Sequence, residues 1–415
     1  MQRILSTQLA AHVHETVTIA GWIHRRRLLK SVAFLIVRDA EGLSQVVVSD
    51  PETRAQLEEL TEESVVQVVG TVAVTQGTVE LTDPKIRVLS AAGVPLPFEL
   101  HRPELTASLP TQLDHAALAL RHPARRAALR IAAAATEGFR VALSEQRFVE
   151  IQTPKIVGSA TESGANVFQL DYFGRPGYLA QSPQFYKQLM VGVFERVFEV
   201  GPVFRAEPSD TARHLAQYTS LDAEMGFIDD HRDVMAALTR TLSVMMSTIR
   251  ARTGYETPAV LSEIPAVHFR EALKIAGAPA DEPDLAPAHE RALGEWARRE
   301  HGSEFLYVTG YPMRKRPFYT HPDPAEPAYS NGFDLLFRGL EIVTGGQRLH
   351  RYEDYVRALK GETGPYEGYL DGFRYGMPPH GGWAIGLERF VARLTGIANV
   401  REVTAFPRDL HRIAP

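Results

Sequence analysis

The segment FEVGPVFRAEPSDTARHLAQYTSLDAEMGF, residues 198–227, decides the fold of the larger part of this chain. An apolar run typical of a strand leads to Arg205, a short polar turn leads to Arg213 and His214, and a second extended run ends at Glu224. The pattern predicts an antiparallel hairpin with a guanidinium on one strand and an Arg-His loop above it. Because a guanidinium can bind phosphate through two parallel hydrogen bonds, this hairpin is suited to holding a triphosphate.

A second arginine, Arg389, follows a Gly-rich extended segment in GGWAIGLERF, residues 381–390. The P-loop signature GxxxxGK[ST] does not occur in the sequence. The two arginines therefore indicate nucleotide chemistry outside the P-loop class.

Composition sets the broad class of the protein. The 415 residues suffice for two or three domains, and 44% hydrophobic with 23% charged residues is ordinary for a globular protein. No run approaches 18 apolar residues and residues 1–13 lack a signal-peptide core, so we expect a cytoplasmic protein without a membrane span. The absence of cysteine excludes disulfides and Cys-ligated zinc. A net charge of −5 argues weakly against nucleic-acid binding, although a local basic patch can outweigh the total.

Residues 16–92 contain five short runs rich in Val, Ile and Thr, with the helical piece TRAQLEELTEE between the third and the fourth. Five strands with a helix at this point is the order of an OB-fold barrel, although any small β-barrel would show a similar pattern. We therefore predict a five-stranded OB-fold barrel in residues 1–100.

The remaining residues predict an α+β fold. Residues 101–122 are Pro-rich and indicate a linker. Residues 123–146 predict a long helix with Pro123 in its first turn, and residues 148–156 predict a strand that stops at Pro154. Helices are then expected mainly over residues 228–300 and strands over 303–350. Residues 123–415 would thus form an antiparallel sheet flanked by helices.

Several charged residues interrupt apolar runs. The polar loop of residues 161–166 is typical of a solvated surface, and Gln184 and Lys187 would share one face of a helical turn, as many surface pairs do. Asp222 and Glu224 alternate to one side of a predicted strand.

Glu341 is more informative, because a carboxylate within an apolar strand is costly unless a cation accompanies it. Mg²⁺ that arrives with ATP takes carboxylate, hydroxyl and phosphate oxygens, and Glu341 with Thr344 would supply the first two. A buried ion pair is the alternative.

These stretches resemble the motifs of class II aminoacyl-tRNA synthetases. The helix and strand before Pro154 are similar to motif 1, residues 198–227 to motif 2 and residues 381–390 to motif 3. The markers ATESGANVF, QSPQFYKQ, GLEIVTGGQR, FRYGMPPHGG and FPRDLHR extend the resemblance over essentially the whole chain. The chain is similar to aspartyl-tRNA synthetases of subclass IIb in their short archaeal-type form, which implies an OB-fold barrel followed by a class II synthetase domain.

For ATP, the resemblance implies two catalytic arginines. Arg205 would contact the α-phosphate and the substrate carboxylate, and Arg389 the γ-phosphate. Glu341 and Thr344 would bind Mg²⁺; the family commonly has Ser in place of Thr344, and the hydroxyl is retained. The other ATP-binding residues implied are Glu207, Arg213, His214, Leu215, Gly386, Leu387 and Glu388.

For the amino acid, Glu162 would lie on a loop that closes over it. Gln184 and Asp222 would receive the ammonium group, and Lys187 and Arg348 the side-chain carboxylate. Two cations would reject asparagine, whose neutral amide leaves both charges poorly compensated. The implied aspartate-binding residues are Glu162, Gln184, Lys187, Arg205, Asp222, Thr344 and Arg348.

In the barrel, Phe34 and Gln45 match positions that stack on anticodon bases and hydrogen-bond to them, although Phe34 by itself would more often be a core residue. The run His24 to Arg27 could meet phosphates. His24 and Pro84 indicate relaxed discrimination, because strict members of the family tend to carry bulkier or basic groups in these neighbourhoods. We expect His24, Phe34, Gln45 and Pro84 to contact the anticodon of tRNA(Asp) and also of tRNA(Asn).

The implied activity is ATP- and Mg²⁺-dependent activation of L-aspartate and its transfer to tRNA by a homodimer. Four alternatives remain at this point: an enzyme strict for tRNA(Asp), an asparaginyl-tRNA synthetase, an asparagine synthetase derived from this fold, and a non-catalytic OB-fold RNA-binding protein. Lys187 and Arg348 argue against asparagine as the substrate, and Phe34 and Gln45 argue against a tRNA-independent enzyme. The presence of Arg205 argues against loss of catalysis.

Overall fold

The computed structural model describes residues 2–158 and 166–414. The chain forms two compact units, Met1–Gln112 and Leu113–Pro415. This division falls inside the predicted linker, residues 101–122. Within the described residues, no helix is both long enough and apolar enough to cross a bilayer.

The described part of the first unit is a closed five-stranded barrel. Its strands are β1 (Thr16–Leu28), β2 (Ala33–Arg38), β3 (Leu43–Val48), β4 (Val65–Thr75) and β5 (Thr78–Ser90). The strand order is β1-β2-β3-β5-β4, with β3 and β5 parallel. Alternating apolar residues such as Ile19, Leu35 and Val68 fill the interior. Helix α1 (Pro51–Glu58) lies between β3 and β4 in sequence, after the N-cap Asp50, so the predicted OB-fold is confirmed.

The described part of the second unit contains an eight-stranded sheet and a separate three-stranded one. The strands are β6 (Val149–Glu150), β7 (Ile156–Val157), β8 (Gln169–Tyr172), β9 (Arg175–Leu179), β10 (Arg196–Phe204), β11 (Gln217–Gly226), β12 (Ala266–His268), β13 (Phe305–Thr309), β14 (Gly332–Phe337), β15 (Leu340–Gln347) and β16 (His380–Gly386). The large sheet has the order β12-β13-β14-β15-β16-β11-β10-β6 and is antiparallel between β13 and β10. The predicted strand before Pro154 shrinks to β6, and beyond it the Thr153 N–H donates to the side chain of Glu199 on β10 and not to a backbone carbonyl.

The other main elements that follow the barrel are helices, several of which pack against the large sheet. They are α2 (Leu109–Asp114), α3 (Ala116–Ala119), α4 (Pro123–Glu145), α5 (Gln184–Phe194), α6 (His231–Thr253), α7 (Phe269–Ile275), α8 (Pro287–His301), α9 (Tyr352–Ala358), α10 (Glu367–Leu370) and α11 (Leu387–Thr395). The two longest, α4 and α6, pack together closely, since a Cβ on Gly138 would lie 2.7 Å from the Cα of Met245. Helix α4 confirms the long helix predicted to begin at Pro123.

The core packs against one face of the large sheet, so a functional site can form only from side chains on the opposite face. Along β11, Leu221 and Ala223 belong to the core cluster, and along β16 so does Trp383. Because side chains alternate along a strand, the residues between them, such as Asp222, face the other side of the sheet. The predicted α+β fold with helices on an antiparallel sheet is thus confirmed.

Candidate active site

A cavity of about 690 Å³ opens over this second face of the sheet. Nearly all residues predicted to bind ATP or the amino acid line it. Glu162 lies outside the described residues, and the side chain of Leu387 packs into the core, which leaves only its backbone for a nucleotide. The predicted residues that line the cavity are Gln184, Lys187, Arg205, Glu207, Arg213, His214, Leu215, Asp222, Glu341, Thr344, Arg348, Gly386, Glu388 and Arg389.

Four buried charges form what we call the floor cluster: Lys187, Asp222, Glu224 and Arg348. The Lys187 Nζ lies 3.0 Å from Asp222 Oδ1 and 3.2 Å from Glu224 Oε2, and donates to the Trp383 carbonyl at 3.3 Å. The Arg348 Nε donates to Glu224 Oε1 at 3.0 Å. The four side chains are between 0% and 8% exposed, so these ion pairs are shielded from water.

The floor cluster is internally neutral. Burial by itself would raise the pKa of Glu224, but Arg348 and then Lys187 outweigh it, and the pKa falls below its ordinary value. The Lys187 ammonium donates to Asp222 and to the Trp383 carbonyl and forms an ion pair with Glu224, whose Oε2 has no hydrogen-bond partner among the described residues. By contrast, Arg348 Nη1 makes no hydrogen bond within residues 2–158 and 166–414, so this edge of the guanidinium can receive a ligand carboxylate.

A glycine makes room for the bridging carboxylate of this cluster. A Cβ on Gly382 would lie 2.2 Å from Glu224 Oε2, a distance that no side chain could tolerate. The Gly382 carbonyl also accepts from Arg348 Nη2 at 3.1 Å. Gly382 therefore makes room for the floor cluster as well as belonging to β16.

A neutral histidine supports the floor from behind. The Nδ1 of His380 lies 2.9 Å from the Pro378 carbonyl, which can only accept, so Nδ1 carries the proton and Nε2 accepts from Gln188 at 3.0 Å. Tyr369 in turn donates to Gln188 Oε1 at 2.8 Å. Burial lowers the pKa of His380 to about 4, so the imidazole is neutral at pH 7. This network fixes the turn of α5 that also carries Lys187.

A second set of charges, which we call the rim cluster, consists of Arg213, Glu290, Glu341 and Arg389. Arg389 Nη1 donates to the Glu341 carbonyl at 3.2 Å and lies 3.8 Å from the Glu341 carboxylate. Arg213 Nη1 lies 3.7 Å from Glu290 Oε2. The side chains of Arg213, Glu341 and Arg389 are 30–39% exposed, so these long contacts are weak and screened.

The predicted phosphate hairpin is formed by β10 and β11. Their ladder runs to Phe204 and Gln217, and the Arg205 N–H continues it by donating to the Ala216 carbonyl at 2.9 Å. The loop above contains His214, whose Nδ1 lies 2.6 Å from the Thr211 hydroxyl. Burial, followed by the charges of Arg389 and Arg213, lowers the pKa of His214, which favours the neutral imidazole.

The start of α11 is tied to the same hairpin. Both oxygens of Glu388 lie 3.0 Å from the Thr219 N–H, and burial raises the pKa of this carboxyl group. Glu388 therefore links the two segments that carry Arg205 and Arg389.

The residues predicted to bind a metal are adjacent. Thr344 donates to Glu341 Oε1 at 3.2 Å, and burial followed by the charge of Asp334 raises the pKa of Glu341. Asp334 is paired with Arg316, whose guanidinium stacks 4.0 Å from the Tyr311 ring. A carboxylate and a hydroxyl side by side suit a hard cation such as Mg²⁺. No three His, Asp or Glu side chains of the described residues converge to hold a metal by themselves.

Sequence reasoning missed part of this site. Glu224 was placed on the correct face, but its role as a bridge could not be inferred because Arg348 is distant in sequence. Asp334 and Arg316 had a detectable signal, since an aspartate in the apolar run GFDLLF needs a partner. Glu290 lies in a helix with ordinary surface composition and gave no signal.

In the barrel, two of the predicted anticodon residues share one outer face. Phe34 on β2 pairs with Val47 on β3, and Gln45 pairs with Ile36, so all four side chains point away from the filled interior. Phe34 is half-buried, as a stacking platform requires, and Gln45 donates to Glu80 at 2.8 Å. Across the β1–β2 pair, Phe34 faces Arg27.

The other two predicted anticodon residues lie at separate β-bulges. His24 sits at a β-bulge, is 7% exposed, and lies 3.1 Å from Arg38 Nη1, which also donates to Glu63. Pro84 occupies a separate bulge of β5 that lies opposite Gly70. Because β1 meets β4 at Val65 near His24, the two sites are at least five positions of β4 apart, roughly 17 Å. His24 and Pro84 thus lie at separate bulges, whose register the sequence does not reveal, and their contacts with the anticodon stay a prediction.

Comparisons with known proteins agree with this geometry. Residues 108–410 match the family described as tRNA synthetases class II (D, K and N), and residues 17–89 match the OB-fold nucleic acid binding domain. The aspartate–tRNA(Asp/Asn) ligase of Deinococcus radiodurans is 45% identical over 100% of this chain and 99% of its own length. That of Thermus thermophilus is 44% identical over 100% of both chains.

Solved structures give the same result. The asparaginyl-tRNA synthetase from Pyrococcus horikoshii, complexed with asparaginyl-adenylate, matches over 100% of both chains with a TM-score of 0.90 and 28% identity. A putative aspartyl-tRNA synthetase from Leishmania major matches with a TM-score of 0.90 and 27% identity, over 100% of this chain and 95% of that one. The family predicted from the motifs is therefore confirmed: the chain is an aminoacyl-tRNA synthetase that belongs to the class II tRNA synthetases (D, K and N).

Proposed function

We propose that this synthetase activates L-aspartate with ATP to form aspartyl-adenylate and transfers the aspartyl group to tRNA(Asp) and also to tRNA(Asn). The main observation that supports this proposal is the position of the Arg348 guanidinium on the cavity floor. Glu224 holds one of its edges and Nη1 is left for a ligand. A side-chain carboxylate can accept from this edge, whereas the nitrogen of an amide cannot.

The amino acid is bound between charges of both signs. Arg348 receives the side-chain carboxylate, and Lys187 supplies positive charge beside it. Asp222 and Gln184 take the ammonium group; Gln184 Nε2 is buried without a protein partner in the described residues, which supports a ligand contact there. Glu162 is the further residue that we propose to contact the amino acid.

Activation is an in-line attack of the substrate α-carboxylate on the α-phosphorus of ATP, with pyrophosphate as the leaving group. The nucleophile is already ionised, so no side-chain base is required. Arg205 positions the α-phosphate against the carboxylate, and Arg389 neutralises charge that develops on the leaving phosphates. Glu207, Arg213, His214, Leu215, Gly386 and Glu388 position the nucleotide. Transfer follows when the terminal adenosine hydroxyl of tRNA attacks the mixed anhydride.

Glu341 and Thr344 would hold Mg²⁺ through a carboxylate and a hydroxyl oxygen. When bound, Mg²⁺ stabilises negative charge on the phosphates. The contact between Thr344 and Glu341, at 3.2 Å, supports this role because it brings a hydroxyl and a carboxylate oxygen together.

Amino-acid choice separates this proposal from an asparaginyl activity, a distinction that the asparaginyl relative makes necessary. The experiment is ATP–pyrophosphate exchange driven by L-aspartate or by L-asparagine. We expect a preference for aspartate of at least about a hundredfold in kcat/KM, since a buried guanidinium left without a carboxylate is penalised. A preference for asparagine contradicts the proposal.

The tRNA choice is supported by the relatives named for both tRNAs, although a relative of Picrophilus torridus, 39% identical, is named for tRNA(Asp) alone. Phe34 and Gln45 contact bases common to the two anticodons, and the third base meets either the His24 bulge or the Pro84 bulge. The test compares kcat/KM for the two transcripts at one salt concentration. A preference for tRNA(Asp) above about a hundredfold, or ~2.7 kcal/mol, means that the enzyme discriminates.

We also propose that the protein is a cytoplasmic homodimer in which residues 1–100 bind the anticodon and residues 123–415 catalyse activation. Exposed Val149 and Val141, on β6 and α4, support a subunit contact at this edge of the sheet. Sedimentation would measure the subunit number, and a monomer contradicts the proposal. Removal of residues 1–100 should retain aspartate-dependent exchange and abolish discrimination between anticodon variants.

A further inference from the structure

Helix α8 lies outside all the motifs, yet it places one buried carboxylate in the rim cluster. Glu290, in its first turn, is 6% exposed. Its Oε2 accepts the Glu341 N–H at 2.9 Å and lies 3.7 Å from Arg213 Nη1. The helix thus connects the metal-binding strand with the loop over the triphosphate.

Two glycines fix this connection. Gly339, in the turn from β14 to β15, has φ = +71°, and a Cβ there would lie 2.9 Å from the Cα of Arg291. A Cβ on Gly294 would lie 2.4 Å from the Gly339 nitrogen. The helix and the turn can therefore approach this closely only without side chains at these two positions. This close approach fixes the position of Glu290 relative to Glu341.

A negative charge at this position needs an explanation. Glu290 Oε2 accepts the Glu341 N–H at 2.9 Å, so two residues that carry carboxylates are in contact and their like charges repel. A glutamine could accept the Glu341 N–H equally well without that repulsion. The positive end of the α8 dipole also favours this charge, since Glu290 lies in the first turn of the helix, and its ion-pair partner among the described residues is Arg213.

We propose that Glu290 is a positioning residue that holds Arg213 over the cavity before ATP binds. This inference rests on the proposed function. The distance of 3.7 Å is too long for a strong hydrogen bond, so the attraction acts mainly through charge. Arginine has many rotamers, and a partner that restricts them in advance lowers the entropy lost when the guanidinium contacts the triphosphate.

The experiment compares Glu290→Gln with Glu295→Gln, which removes an exposed charge from the same helix. Aspartate-dependent ATP–pyrophosphate exchange is measured for both, and for Glu290→Gln in an Arg213→Ala background. Glu290→Gln should raise the KM for ATP about fivefold, while kcat and the KM for aspartate stay within about twofold of the parent. Glu295→Gln should match the parent, and in the Arg213→Ala background Glu290→Gln should have no further effect.

The outcomes are distinct. A parent protein without aspartate-dependent exchange contradicts the proposed function itself. An active parent with an unchanged ATP KM in Glu290→Gln overturns the inference. An equal rise in the KM for ATP in the parent and in the Arg213→Ala background also overturns it, because the effect of Glu290→Gln then acts through Glu341 and not through Arg213. The single variant Arg213→Ala removes the more exposed member of the Arg213–Glu290 pair. If its KM for ATP equals that of the parent, the inference is also overturned.

Discussion

The two ends of the cavity hold their charges in opposite ways. In the floor cluster, Lys187 and Arg348 are nearly buried and lie 3.0–3.2 Å from Asp222 and Glu224. In the rim cluster, Arg213 and Arg389 are about one-third exposed and lie 3.7–3.8 Å from their nearest carboxylates. A shielded neutral cluster has one stable arrangement, whereas loose pairs can exchange partners when a polyanion arrives.

This difference corresponds to the demands of the two substrates. An amino acid of fixed shape is best selected by groups that cannot adapt, because adaptation would also accommodate its amide analogue. ATP with Mg²⁺ brings a large charge that must be neutralised on entry and released as pyrophosphate. Arginine side chains that are only weakly paired with carboxylates can exchange these partners for phosphate groups at a small cost in free energy.

Loss of a floor charge should have the largest effect on the protein. Lys187→Met leaves Asp222 and Glu224 buried with one cation fewer, and should lower the free energy of unfolding by about 3–5 kcal/mol. In ATP–pyrophosphate exchange, the substitution should also raise the KM for aspartate more than the KM for ATP. Lys274→Met is the control, because its partner Glu271 is on the surface, and it should cost less than about 1 kcal/mol. Urea unfolding measures both, and similar losses would show that burial does not distinguish the two pairs.

Arg205→Ala should lower the rate of catalysis and leave the stability of the protein nearly unchanged. Arg205 lies at the open end of the β10–β11 ladder, so its removal leaves the core intact. Adenylate formation should slow by about 10²-fold or more, or roughly 3 kcal/mol of transition-state stabilisation. Exposed Arg299→Ala serves as the control. Exchange within about tenfold of the parent would remove Arg205 from its catalytic role.

The sequence predicted those parts of the molecule that local patterns determine. The order of barrel strands, the long helix from Pro123 and the alternation of Asp222 and Glu224 follow from periodicity, and motif positions placed most cavity residues correctly. Pairings between distant segments could not be predicted in this way. Glu224 is held by Arg348 from another strand, and Glu290 depends on how closely α8 approaches a turn.

Register was the other limit. A bulge changes which residues face each other without any reliable mark in the sequence. His24 therefore turned out to be buried beside Arg38, and Pro84 to lie at a different bulge.

The histidine behind the floor predicts a pH dependence of stability. Burial lowers the pKa of His380 from 6.5 to about 4, so the unfolded chain takes up a proton at a higher pH than the folded one. The stability contributed by the neutral imidazole is thus present above pH 6.5 and is lost as the pH falls towards 4. Between pH 7.5 and 5 the loss should be about 2 kcal/mol.

His380→Asn isolates this contribution from those of the other histidines. The asparagine side chain can still donate to the Pro378 carbonyl, but it does not titrate. Urea unfolding of both proteins at pH 7.5 and 5 should show the steeper loss in the parent. Equal losses would mean that His380 is not held neutral by burial, and the floor would then be less isolated from water than its geometry indicates.

The smallest expected effect is at the rim, where Thr344 supplies one hydroxyl to the metal site. Thr344→Ser keeps that oxygen and should match the parent. Thr344→Ala removes it, but water can replace it because Mg²⁺ usually retains several water ligands. We therefore expect the Mg²⁺ concentration for half-maximal exchange to rise only about three- to tenfold, on the order of 1 kcal/mol. A loss as large as that of Arg205→Ala would show that the rim tolerates substitution no better than the floor, and the contrast between the two clusters would then be wrong.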